Sequence, residues 1–142
     1  MIARWLVQAA LLLAPHAPVA QTRPVIRAIW RATHRRIDAA ALLAISYHEN
    51  SIGRAGVPFG VCNHLCSDHC THCRTEPVTN SARVALRIWR RSGTRQACGT
   101  HASIQQRLRY YHSGACSGWR EDGFVEREAA TVARILARRR MR

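Results

Sequence analysis

The sequence predicts an all-α, mainly helical domain with irregular, disulfide-stapled loops. Apolar residues recur at spacings of three and four along most of the chain, which is the period of a half-buried helix. No run of strand formers finds a partner run across a tight turn. Six cysteines in 142 residues supply covalent staples for loops that a small core cannot hold alone.

The first twenty residues read as an export segment, leaving residues 21–142 as one domain. Arg4 is followed by an apolar stretch from Trp5 to Ala14 broken only by Gln8, then by Pro15, Pro18 and small residues to Ala20. Basic, then apolar, then small and polar is the order of a secretory signal. The stretch falls short of the roughly 20 residues a membrane span needs. The alternative is a buried first helix of the domain. Export implies a periplasmic or secreted protein with no transmembrane anchor once the signal is cleaved.

Arg23 to Arg36 is helical in pattern, with Pro24 at the helix start and a stripe of Val25, Ile26, Ile29 and Trp30. Asp38 reads as the N-cap of a second helix to about Asn50. This helix is apolar nearly all round, which places it centrally. Gly53, Gly56, Pro58 and Gly60 then mark a loop. Pro77 to Asn80 reads as a capped turn, and Ser81 to Arg91 as a helix on Val84, Ala85, Ile88 and Trp89. Ser92 to Thr100 is a loop. Ala102 to His112 is helical through Ile104, Leu108 and Tyr111. Gly123 to Arg138 closes the chain as an amphipathic helix on Phe124, Val125, Ala129, Val132 and Leu136.

The formal net charge is +14, and all 22 basic residues are Arg. Such a surface concentrates on polyanions, and salt weakens that attraction. The arginines are scattered along the chain, so a specific nucleic-acid partner is not expected.

Acidic residues are few, and most of them fall in turns or on polar helix faces. Glu49 differs, because it comes after the apolar run Leu42 to Ile45 and precedes the glycine-rich loop. A carboxyl group at the buried end of a helix loses solvation, and that favours the protonated, proton-donating form. No second catalytic carboxylate stands out. Ser46 and Ser51 lack the partners of an activated nucleophile.

Cys62, Cys66, Cys70 and Cys73 lie within a dozen positions, interleaved with His64, His69 and His72. Two readings fit. Four thiolates can hold zinc tetrahedrally. In an oxidising compartment the same residues form two local disulfides, with Cys98 to Cys116 as a third. Export favours disulfides and no cofactor, with zinc as the alternative.

The stretch from Ala41 to Ser51 resembles the catalytic helix of the soluble lytic transglycosylases, a lysozyme-like family in which an apolar helix ends in Glu-Ser. The family's next motif, Gly-Leu-Met-Gln, resembles Phe59-Gly60-Val61-Cys62-Asn63 here. Thr79-Asn80-Ser81 stands where the family has an Asn at a helix start, and Tyr111-His112-Ser113-Gly114 resembles its later Tyr-Asn-Ala-Gly. Asn50, Asn63 and His112 depart from the family's Ser, Gln and Asn. The resemblance spans Ala41 to Gly114 and implies a lysozyme-like helical domain acting on peptidoglycan glycan strands. It implies Glu49 as the acid and then the base, with Gly60, Asn63, Tyr111 and His112 against the substrate. One carboxylate then suffices where most glycosidases need two. The competing reading is a basic, zinc- or disulfide-stapled protein that binds nucleic acid or glycan without catalysis.

Overall fold

Helix α3, Arg36–Asn50, organises the first half of the chain. From Ala39 to Ser46 every residue is buried, in a run rich in alanine. Small side chains let neighbouring helices approach closely, and Leu42, Leu43 and Ile45 fill the space between them. This is the central helix expected from its all-round apolar character.

These features belong to a computed structural model of the chain, which describes residues 2–53, 58–61, 77–118 and 123–138. Six helices and no strand occur among the described residues, so the class is all-α as expected. The chain forms two units, Met1–Leu86 and Arg87–Arg142.

In the first unit, α1 (Arg4–Leu13) and α2 (Val19–Ala32) pack on each other and on α3. Leu6, Ala9 and Ala10 of α1 are buried, and the Arg36 guanidinium lies 4.3 Å above the Trp5 ring. Most of the segment expected to be an export signal is thus a helix packed on α2 and α3 here. Helix α2 begins at Val19 rather than near Pro24. The preceding Pro18 is extended and ends the upstream turn, and Pro24 lies inside the helix. Pro24 has no N–H to offer the Ala20 carbonyl, and both residues face water. Of the expected stripe, Val25, Ile26 and Ile29 are buried, whereas Trp30 is exposed.

Asp38 is not the cap of α3. Arg35 holds that position, and Asp38 lies buried in the first turn, where a carboxylate suits the positive end of the helix dipole. Helix α4, Pro77–Ser92, starts in the first unit and ends in the second. The expected turn at Pro77 to Asn80 is its first turn, with proline in the position where its missing N–H costs least.

In the second unit, α5 (Ile104–Ser113) packs on α6 (Phe124–Ala137). Helix α5 starts two residues later than the apolar pattern indicates, because Ser103 caps it. The Ser103 hydroxyl accepts from Gln106 N–H, and the Gln106 side chain accepts from Ser103 N–H. The Arg107 guanidinium stacks 3.7 Å from the Trp89 ring and donates to the Ser92 hydroxyl and the Trp89 carbonyl, at 3.0 and 2.9 Å. It thereby satisfies a carbonyl in the last turn of α4. Cys98 and Cys116 form the expected disulfide, with Cα atoms 5.5 Å apart.

Candidate functional site

Helix α3 delivers Glu49 to the surface. Its buried stretch ends at Ser46, Tyr47 and His48 are half-buried, and Glu49 is exposed. The sequence expectation of a desolvated carboxyl is corrected here. A helix that is apolar through its middle still emerges into solvent in its last turn, and Glu49 lies one residue from that end.

The turn after Glu49 is tightly specified. Ser51, Ile52 and Gly53 all have positive φ, of 53°, 61° and 94°. Ile52 is a β-branched residue in the left-handed region, a conformation that is rare and costs about 1–3 kcal/mol. Two observations show what holds it there. Its side chain is fully buried, and its N–H donates to the Ser46 carbonyl at 3.1 Å. Asn50 accepts from Gly53 N–H at 2.7 Å, closing the turn from inside. A side chain at Gly53 would meet Val25 Cγ2 at 2.9 Å and the Gln21 carbonyl at 3.0 Å, so this turn is seated on α2.

The chain then returns to Glu49. Pro58 and Phe59 are buried, and Gly60 is exposed with φ of 67°. A methyl group built on Gly60 would stand 3.0 Å from Glu49 Cδ and 3.1 and 3.3 Å from its two oxygens. Only glycine permits both the backbone conformation and the approach. The next residue is anchored from α4, where the buried Ser81 hydroxyl donates to the Val61 carbonyl at 2.9 Å. The structure therefore brings Gly60 against Glu49, with bonds that fix the turn after Glu49 on one side and Val61 on the other. Asn63 lies outside the described residues, as do Cys62, Cys66, Cys70, Cys73, His64, His69 and His72. Among the described residues no group of His, Cys, Asp or Glu could hold a metal ion.

Tyr111 and His112 belong to α5 in the second unit. Tyr111 is 8% exposed, in keeping with a core-packing role, and its ring meets that of His112 edge-on at 5.3 Å. His112 is bound to Glu128 of α6, with Nε2 2.8 Å from Oε1, and its ring also meets Phe124 edge-on. The two side chains are 7% and 0% exposed. His112 is therefore not a polar surface residue here, and its ring nitrogen is engaged by a carboxyl group.

Glu128 is the residue that sequence reasoning missed, since it was placed on a polar helix surface. A signal was present. Val125, Glu128, Val132 and Ile135 succeed one another at helical spacing, and all four are buried. A carboxylate in the middle of such a stripe points to a partner on the facing helix.

No family model, characterised protein or solved structure matches this chain.

Proposed function

We propose that this chain is a lytic transglycosylase of lysozyme-like type, cleaving peptidoglycan glycan strands between N-acetylmuramic acid and N-acetylglucosamine. The observation that carries the reading is the Glu49 carboxyl at the mouth of a buried helix, held against Gly60. Its exposure leaves it open to a polymer. A glycan strand seated on it would exclude water and strengthen each polar interaction in the site.

Glu49 first donates its proton to the glycosidic oxygen as that bond breaks. The resulting carboxylate then takes the proton from the 6-hydroxyl of the N-acetylmuramic acid, whose oxygen closes a 1,6-anhydro ring. The proton count balances, and the group returns to its starting state without water. The sugar's own acetamido group supports the positive centre, so no second carboxylate is required. Gly60 keeps the approach to the carboxyl narrow and Asn63 binds an acetamido group, while the buried Tyr111 and His112 are left to the packing of the second unit.

The Cys98–Cys116 disulfide supports an oxidising compartment and, with it, a periplasmic or secreted location. It also favours disulfides over zinc for the remaining cysteines. The competing reading, a basic protein that binds glycan or nucleic acid without catalysis, is favoured by the net charge of +14. Digestion of purified peptidoglycan by wild type and Glu49→Gln separates the two.

A further inference from the structure

Helices α1 and α2 leave an open apolar groove of about 590 Å³ on the outside of the first unit, lined by Val7, Leu11, Val19, Ile26 and Trp30 among others. Four large apolar side chains on this hairpin stand in solvent: Leu11 at 50%, Leu12 at 53%, Val19 at 63% and Trp30 at 38% exposure. They are the large hydrophobics of the described residues that the fold leaves exposed, and all four lie on α1 and α2. A cluster of this kind marks a surface that something else covers.

Charge identifies the occupant. Arg23, Arg27 and Arg31 line the same groove at successive turns of α2. The first 37 residues hold no Asp or Glu, and the first acid in the chain, Asp38, is buried. The rim is therefore a row of cations beside exposed leucines and a tryptophan. Arginine stems lie along apolar surface while their heads reach phosphate, and tryptophan favours the boundary between headgroup and acyl chain. Helix α1 has 10 residues, a length of about 15 Å, about half the hydrocarbon thickness of a bilayer. It suits a helix lying in the interface rather than one crossing it.

We propose that the α1–α2 hairpin is a docking surface for an anionic phospholipid bilayer, and that residues 1–20 remain part of the domain to form it. A cut after Ala20 would fall in the first turn of α2 and remove the buried Leu6, Ala9 and Ala10 from the unit. The inference stands apart from the glycan chemistry, although it would hold that chemistry beside a membrane.

The test is co-sedimentation of the full chain with vesicles of phosphatidylcholine plus phosphatidylglycerol, against phosphatidylcholine alone. Wild type is expected to bind the mixed vesicles and to leave them as salt rises. Replacing Arg23, Arg27 and Arg31 together with Gln lowers partitioning about a hundredfold, and Arg27→Gln alone about fivefold. Replacing the exposed Arg83, Arg87 and Arg91 of α4 with Gln removes the same charge but leaves partitioning within a few-fold of wild type. Leu11→Gln with Leu12→Gln also weakens it, while circular dichroism shows the helices retained. Equal losses in the two arginine triples would reduce the effect to net charge and overturn the proposal. So would a purified mature chain that begins at Gln21 by mass spectrometry. Glu49→Gln binds vesicles as wild type does, which keeps this result separate from the catalytic reading.

Discussion

The Glu49 carboxyl rests against the α-carbon of Gly60, so closely that a single added methyl group would stand 3.0 Å from Cδ. The turn sealed by Asn50 and Gly53 holds one end of the intervening segment, and the bond from Ser81 to the Val61 carbonyl holds the other. Gly60→Ala therefore acts on two properties at once. The left-handed backbone costs an alanine about 1–2 kcal/mol of stability. The methyl group also pushes the carboxyl off its position, for which we expect at least a tenfold loss in muropeptide release. Denaturant unfolding and product quantification on the same preparation check both. A variant that loses stability but keeps full activity would remove Gly60 from the site.

The His112–Glu128 pair is predicted to be structural in its energetics. Both side chains are buried, so truncating either one removes a buried hydrogen-bond partner from the other. His112→Ala or Glu128→Ala should each cost about 3–5 kcal/mol. The double substitution should cost clearly less than the sum, because both single changes remove the same interaction. Urea unfolding of the four proteins completes the cycle, and strict additivity would contradict the pairing.

Cys98 and Cys116 close a loop across α5, with a sequence separation of 18. Loop-closure entropy makes that worth about 3 kcal/mol. Cys98→Ser, or reduction of this bond, should lower stability by that amount, read from unfolding midpoints with and without reductant. Mass mapping of the intact protein should recover a peptide joining the two residues.

Ser103→Ala should remove one half of the α5 capping box and cost about 1 kcal/mol, while Ser103→Asp should retain most of it. Thermal unfolding of the three proteins distinguishes these outcomes.

The helices were legible wherever one stretch of chain carries its own signal. α3 was readable because a run from Ala39 to Ile45 is apolar on every face, and only a central helix can be. The start of α5 was written in Ser103 and Gln106, yet the apolar period alone places it early. Glu128 was not legible in the same way. Its stripe of Val125, Val132 and Ile135 was local, but its partner His112 sits on a different helix, and a charged residue is almost never fully buried without a partner. The exposure of Glu49 was hidden for the converse reason. Periodicity says which face of a helix is apolar, but not at which turn the helix leaves the core. The contact of Glu49 with Gly60 and the left-handed turn between them, with Ile52 buried at positive φ, depend on packing that no local pattern records.

The most direct test is digestion of purified peptidoglycan with wild type and Glu49→Gln, and then mass spectrometry of the released fragments. Fragments ending in 1,6-anhydro-N-acetylmuramic acid from wild type, and their loss in Glu49→Gln, are the predicted result. Hydrated reducing ends would make the chain a hydrolase, and equal release by the two proteins would contradict the role given to Glu49.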